Sequence, residues 1–218
     1  RDKPMLGMPP RLHYFSPGKS LTGLSTLMSD TAKRKDQTMP RLAELDEAKL
    51  SPEQRTIYDD IMRVRGRVRG PFAVWLRNAE LAEGTLKLQD LFASRVQMER
   101  RLIQLMILVA ARFAGAQYAW HIHEPHALQH GISRDIVEAI RERRTPDFAR
   151  EDERLVYDIT LELNTTHRLS DATFSRGMAL FGEQQMVELV SGVGLYAMVA
   201  MTLNAFDVEV PDGKKPLA

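Results

Sequence analysis

From residue 50 onward, apolar residues recur at helical spacing between capping signals, and no stretch shows the sustained alternation of a strand. Ser51-Pro52-Glu53-Gln54 supplies an N-cap, a proline at the first helical position and a capping-box glutamine. The same signals predict further helices over 78–96, 99–113, 134–143, 151–166, 171–182 and 184–206. We therefore expect an all-α bundle, for which 44% apolar residues provide a substantial core.

The first 40 residues differ from this pattern, because they carry several prolines and no sustained helical period. We predict an extended N-terminal arm over 1–40, one helical domain over 41–211 and a C-terminal tail over 212–218. Met28-Ser29-Asp30 is typical of a cytosolic start, so residues 1–27 are interpreted in part as an extended or added start. Since polar residues interrupt the apolar stretch before Met28, we expect no secretory signal and a cytoplasmic location.

Composition excludes several classes of function. A net charge of +1 gives no overall field toward nucleic acid or an anionic membrane. The sequence has no cysteine, and hence no thiolate ligand or thiol nucleophile, and it has no phosphate-binding glycine motif. The apolar stretch 186–206 is long enough to span a membrane, but Glu188 and Asn204 would be costly in lipid, which favours a core helix.

Four of the six histidines lie in "QYAWHIHEPHALQHG", residues 117–131. On a helix, His123, His126 and His130 share one face, whereas His121 points elsewhere. His126 and His130 have the spacing of a zinc-binding pair, but a third protein ligand is missing. We therefore predict no metal site and favour a solvated helix face for these two residues.

Gln104 is the only polar side chain between Leu102 and Ala111, so burial would oblige its amide to find partners. It could fix the tautomer of an imidazole on the neighbouring helix, or it could bond a backbone carbonyl. His167 lies between two predicted helices and is expected to be structural.

The segment "RRLIQLMILVAARFAGAQYAWHIHEPHALQHGIS", Arg100 to Ser133, resembles the carboxymuconolactone decarboxylase family, which includes the alkyl hydroperoxidase D-like proteins. Supporting stretches are "RGRVRGPFAVWLRNAEL", "THRLSDATF" and "GLYAMVAMTLNAFDVEVP", so that the resemblance covers about Met39 to Pro211. It implies an alkyl hydroperoxidase D-like helical bundle, with a six-helix core motif plus extra N-terminal helices.

The family's peroxidase branch has a CxxC pair, a histidine four residues after the second cysteine, and a glutamate on the preceding helix. In this sequence His123 matches the histidine, Ala116 and Ala119 stand in place of the cysteines, and Gln104 stands in place of the glutamate. Dithiol peroxidase chemistry is thereby excluded. The decarboxylase-like branch has a Glu-Trp pair before the histidine, of which only Trp120 is kept.

The resemblance implies a cofactor-free lyase or isomerase acting on a small carboxylated or lactone substrate, of the kind formed in aromatic-compound breakdown. His123 would transfer the proton, Gln104 would orient it and lower its basicity relative to a glutamate partner, and His121 is a second candidate. The residues expected to bind substrate are Trp120, Tyr118, Arg101 and Arg67. A solvated surface position is the alternative for both arginines.

The other function that we consider is a non-catalytic, oligomeric relative that binds a small molecule. A polar, closed cavity with a second proton-transfer group at His123 would favour catalysis, whereas a cavity filled by Trp120 or Met106 would favour binding alone. The resemblance implies self-association as a dimer, trimer or hexamer, to which the apolar helix 186–206 and the pair Tyr14-Phe15 could contribute. We expect no cofactor, nucleic-acid or membrane partner.

Overall fold

The computed structural model describes residues 41–217. In chain order its helices are α1 Pro52–Arg65, α2 Pro71–Trp75, α3 Ala79–Ser94, α4 Arg100–Ala114, α5 Gln117–Gln129, α6 Arg134–Arg141, α7 Glu151–Thr166 and α8 Asp171–Ala205. Two 3-10 helices, Glu47–Lys49 and Pro211–Gly213, lie near the two ends of this range, which contains no strand. The all-α prediction is confirmed.

The predicted capping signals form. Ser51 Oγ accepts the backbone N–H of Gln54 at 3.2 Å, and Gln54 Oε1 accepts the backbone N–H of Ser51 at 2.9 Å, which completes the capping box of α1. The hydroxyl oxygens of Ser133 and Ser170 accept one backbone N–H each, from Ile136 and Thr173, and so cap α6 and α8. The local sequence thus decides where these helices begin.

Helix α4 lies at the centre of the fold and packs against α5, α7 and α8. Every residue from Leu102 to Ala111 is buried, as expected for a helix that is apolar on all sides. Gln104 is the one polar member of this run, so the fold carries its amide into the protein interior. The neighbouring helices therefore have to supply whatever that amide contacts.

Helix α8 is interrupted at Gly182, whose φ of 71° and ψ of 178° are not helical. The sequence predicts two helices meeting at this glycine, which adopts such a conformation at little cost. By length and composition alone α8 could cross a membrane. Here its buried residues join the core, and Glu188 accepts the backbone N–H groups of Gln97 and Met98 at 2.9 and 3.0 Å, just before α4 begins.

The chain end, predicted as a tail over 212–218, packs onto the domain as far as it is described. Leu217 is buried, and its N–H donates to Gln117 Oε1 at 2.9 Å. The carbonyl of Pro216 accepts from Arg141 at 2.6 Å. The predicted arm over 1–40, with Tyr14-Phe15, lies outside the described residues.

Candidate active site

The structure brings Gln104 and His123 together. They lie on α4 and α5, and Gln104 Oε1 is 2.9 Å from His123 Nδ1. Because a carbonyl oxygen can only accept, this bond keeps the imidazole proton on Nδ1 and leaves the lone pair on Nε2. Nε2 has no hydrogen-bond partner within residues 41–217, and His123 lines a cavity described below. The fold thus holds a neutral imidazole with its basic nitrogen free.

Tyr196 on α8 completes this cluster. Its ring meets the His123 ring edge-on, with 5.4 Å between centroids. Among the described residues, neither the Tyr196 hydroxyl nor the Gln104 Nε2 has a hydrogen-bond acceptor, and both residues line the cavity described below. Gln104 is only 4% exposed, so its free N–H groups lie in a mostly buried setting. One lone pair and two sets of free donors therefore meet here, and we call Gln104, His123 and Tyr196 the inner cluster.

Burial sets the protonation of this cluster. It lowers the pKa of His123 to about 3, with smaller contributions from His126 and the positive charge of Arg100. It also raises the pKa of Tyr196 to about 12, although Arg100 and Arg65 act in the opposite direction. Both groups are consequently neutral at pH 7, which makes His123 a base and Tyr196 a hydrogen-bond donor.

A cavity of about 310 Å³ opens beside the inner cluster, which lies within the size range of small-ligand sites. It is bounded by α1 to α5 and by α8. Trp120 and Met106 do not line it, so neither of the apolar side chains considered from the sequence fills it. The polar residues that line it are Arg65, Arg67, Arg69, Gln89, Arg100, Gln104, Tyr118, His123, His126, His130 and Tyr196.

Tyr118 and Arg67, both predicted to bind substrate, line this cavity. Tyr118 is buried, and it also lines a second cavity of about 530 Å³. Its ring lies so close to Gly70 that a Cβ atom there would come within 2.6 Å of Tyr118 Cε1. Ala119, which stands in place of one family cysteine, lines the first cavity, and Ala116 is fully buried.

Three other predicted site residues do not reach the cavity. Trp120 is fully buried, and its indole N–H donates to Glu124 at 2.8 Å. Arg101 is held by ion pairs to Asp152 and Glu153, both at 2.6 Å. His121 lies elsewhere on α5, as its position in the helical repeat predicts. The geometry gives none of the three a contact with a ligand beside His123.

His126 and His130 are exposed and line the cavity on the same face as His123, as the helical spacing predicts. No group of three or more potential metal-ligating side chains occurs within the described part of the chain. The exposed His167 ends α7 with a φ of 60°, which is a structural position.

Tyr196, Arg100 and Arg65 line the cavity but are not among the predicted site residues. Arg100 could have been found, because it precedes Gln104 by four residues and so shares its helix face. Tyr196 carries the only hydroxyl of the apolar stretch 192–201 in α8, the same kind of signal that singled out Gln104. Arg65 ends α1, and nothing in the sequence pairs it with α4.

No protein-family model matches this sequence, and neither does any curated protein. Solved structures do share the fold. An alkylhydroperoxidase AhpD core protein from Ralstonia eutropha JMP134, described as peroxidase-related, has a TM-score of 0.67 at 12% identity, over 79% of this chain and 93% of that one. An uncharacterised peroxidase-related protein from Silicibacter sp. TM1040 has a TM-score of 0.64 at 16% identity, over 80% and 93% of the two chains.

A third similar structure is a cysteine-to-alanine variant of the debrominase Bmp8, in complex with 2,3,4-tribromopyrrole. Its TM-score is 0.62 at 18% identity, over 79% of this chain and 91% of that one. These structures and the helical architecture described above agree in topology. The chain has the fold of the alkyl hydroperoxidase D-like superfamily, in a form that carries no cysteine.

Proposed function

We propose that this protein is a cofactor-free lyase or isomerase that acts on a small carboxylated or lactone substrate, with His123 as the proton-transfer residue. The observation that supports this most directly is the inner cluster. A neutral imidazole, held by the buried Gln104, exposes its basic nitrogen beside a cavity of about 310 Å³. The ring of Tyr196, a second residue able to donate a proton, lies edge-on against it.

The isomerase reaction uses each group in its neutral form. His123 Nε2 removes a proton from a carbon next to the substrate carbonyl, and the electron pair of that C–H bond shifts to give an enolate. The Tyr196 hydroxyl and the Gln104 amide donate hydrogen bonds to the enolate oxygen. The imidazolium then returns its proton to another carbon of the conjugated system, which yields the isomer and restores neutral His123.

The lyase reaction passes through the same kind of enolate. The bond to the substrate carboxylate breaks, its electron pair forms the enolate, and carbon dioxide leaves. His123 Nε2 then passes a proton taken from water to the enolate carbon, which completes the product and leaves hydroxide. Because burial lowers the His123 pKa to about 3, the imidazole is neutral at pH 7 and is present in the form that removes a proton in the isomerase branch.

The size of the cavity and one structural neighbour agree on the scale of the ligand. The debrominase structure holds a tribrominated pyrrole, a single small ring. A ring of this size, with one or two substituents, fits a cavity of about 310 Å³. The dithiol chemistry of cysteine-bearing relatives is not open to this chain, because no thiolate exists to carry it out.

Transfer of deuterium from solvent to carbon, called exchange below, tests both branches. The isomerase exchanges a carbon-bound hydrogen, and the lyase places one deuteron on the carbon that loses the carboxylate. A panel of unsaturated lactones and their carboxylates is incubated with the protein in D₂O, and exchange next to the carbonyl is followed by NMR. We expect exchange with at least one member, and its loss in His123→Gln. His167→Asn is the control, because Asn tolerates the left-handed conformation of this exposed position.

Binding of panel members without exchange would overturn the catalytic proposal and support the non-catalytic alternative. Exchange that persists in His123→Gln would overturn the assignment of the base. Exchange lost equally in His167→Asn would point to a general loss of structure.

We also propose that the protein forms a homo-oligomer. Val187, Val190 and Met201 share one face of α8 and are 61%, 40% and 70% exposed. This face lies opposite Tyr196, so an interface here would leave the cavity open. Light scattering should show a mass above that of one chain, and a lower mass for Met201→Lys. Leu161→Lys, at an exposed apolar residue on α7, is the control.

The cytoplasmic location stays a prediction.

A further inference from the structure

We propose that Arg100 binds the carboxylate of an anionic substrate and places it one helical turn from the Gln104–His123 pair. This inference deepens the proposed function and rests on it for the reacting end of the ligand. It assigns the charge selectivity of the cavity to one residue, and it names the ligand class as small, planar carboxylic acids in their ionised form.

The position of Arg100 follows from the helical repeat. Arg100 and Gln104 are four residues apart on α4, and both line the cavity. Positions with this spacing are neighbours on a helix surface. The positive charge of Arg100 also contributes to the pKa of both His123 and Tyr196, so all four side chains lie within electrostatic reach of one another.

The charges around the cavity are unbalanced. Four arginines and three histidines line it, and none of the described lining residues is Asp or Glu. Arg65 is neutralised by Asp90 at 2.7 Å, outside the lining. Arg67 and Arg69 form no ion pair within residues 41–217, but they lie in the segment between α1 and α2, and Arg67 is exposed. Arg100 forms no ion pair within residues 41–217 and uses one N–H group on the carbonyl of Phe92. A half-buried guanidinium with remaining donors and no counter-ion is suited to a carboxylate ligand.

The adjacent Arg101 shows the opposite arrangement. It lies on another face of α4, where two carboxylates of α7 and Glu99 satisfy its guanidinium. From the sequence, Arg101 and not Arg100 is considered as a substrate anchor, although both arginines begin the same helix. Only the three-dimensional arrangement separates the arginine that is already paired from the one that faces the cavity.

Benzoate and benzamide form a matched pair of probes for this site, because they share shape and differ in charge. Binding of each is measured by calorimetry at pH 7.5, and its location is followed through the NMR signals of the His123 ring. We expect benzoate to bind at least tenfold more tightly than benzamide. Arg100→Gln should remove this preference, and Arg100→Lys should keep part of it.

Arg144→Gln is the control for loss of one positive charge, since Arg144 is exposed and pairs with Glu142 away from the cavity. It should leave both affinities unchanged. The inference is overturned if the two probes bind wild type equally, if neither binds, or if Arg100→Gln retains the benzoate preference. Should Arg100→Gln not fold, a benzoate preference undiminished in Arg100→Lys overturns it as well.

The failure of this inference can be distinguished from that of the proposed function. Benzoate binding that depends on Arg100, without deuterium exchange in any panel member, would leave the anion site standing and remove the catalytic proposal. Exchange that occurs only with uncharged lactones and is unchanged in Arg100→Gln would support the catalytic proposal and overturn the anion site.

Discussion

Two polar clusters include residues of helix α5, on different faces of that helix. They differ in how fully their hydrogen bonds are satisfied within the protein. The inner cluster of Gln104, His123 and Tyr196 contains no formal charge and leaves several donors and one lone pair free. On another face lies an outer cluster of Trp120, Glu124, Glu138 and Arg141. There Glu124 accepts from both Trp120 and Arg141, and Arg141 also lies over the Trp120 ring at 5.1 Å.

This difference separates structural from functional polarity within one helix. In the outer cluster each side chain has a partner within the cluster, so the network links α5 to α6 and needs nothing further. In the inner cluster the polar groups border a cavity, where water or a ligand can complete their hydrogen bonds. Polar groups that the protein itself leaves unpaired beside a cavity are typical of a ligand site.

The largest effect is expected from the inner cluster in a rate measurement. His123→Gln removes the only unhindered base of the cluster, so deuterium exchange should fall by about 10²- to 10⁴-fold. The stability measured by urea unfolding should change by less than about 1 kcal/mol, since a glutamine can still reach Gln104. If His123→Gln lost both activity and several kcal/mol of stability, the inner cluster would have a structural role as well, and the proposed difference between the two clusters would be wrong.

The reverse result is expected in the outer cluster. Glu124→Ala leaves the Trp120 indole N–H and the Arg141 guanidinium without their shared acceptor, so the free energy of unfolding should fall by about 1–3 kcal/mol. Urea denaturation measures this fall, and exchange activity of the folded fraction should stay within about twofold. An activity loss comparable to that of His123→Gln would show that the outer cluster also serves the reaction.

A smaller rate effect is expected for Tyr196→Phe. The substitution keeps the edge-on contact with His123 and removes one donor to the enolate oxygen, so exchange should slow by roughly tenfold. The pH at which the rate falls on the acid side should not move upward, because the phenol is neutral throughout that range. An unchanged rate would leave Tyr196 with a packing role alone.

Much of the fold was predictable from local signals. The serine caps, the break at Gly182 and the apolar run of α4 each depend on a few consecutive residues, and all three appear as expected. The chain end was harder to predict, because its place depends on tertiary contacts such as the bond from Leu217 to Gln117. A contact between residues 100 positions apart leaves no periodic pattern in the sequence.

The candidate site was predictable only where its residues share one helix or a known motif. The pairing of His123 with Gln104 followed from a resemblance that aligns both positions, and the structure places them in contact. Trp120 was favoured because the resemblance keeps it, although Glu124, its partner, lies one helical turn away. Arg101 was favoured as a charged residue near the motif, but its partner Asp152 lies 51 residues away, where sequence spacing gives no warning. Tyr196 is distant in sequence and required the three-dimensional arrangement.

The two clusters also differ in formal charge: the outer cluster contains charged side chains and the inner cluster contains none. Adding a carboxylate to the inner cluster by Gln104→Glu tests whether this difference sets the pKa of His123. In wild type, the groups around His123 are neutral Gln104 and Tyr196, with His126 and Arg100 both disfavouring an added positive charge. The exchange rate should therefore stay level as pH falls from 7 toward 4. It should decline only as pH passes through the His123 pKa of about 3, where the base becomes protonated.

Gln104→Glu places a carboxylate beside His123 Nδ1, which stabilises the imidazolium. The His123 pKa should therefore rise by about one unit or more. The acid limb of the rate then moves to higher pH by the same amount. The variant should also be more stable than wild type at low pH. A histidine that is buried in its neutral form makes the folded protein less stable as pH falls below the unfolded pKa of roughly 6.5. Raising the folded pKa of His123 narrows the pH range over which this stability is lost. NMR titration of the His123 ring measures the shift directly. If the His123 pKa did not change in this variant, the neutral side chain at position 104 would have no part in keeping that pKa low.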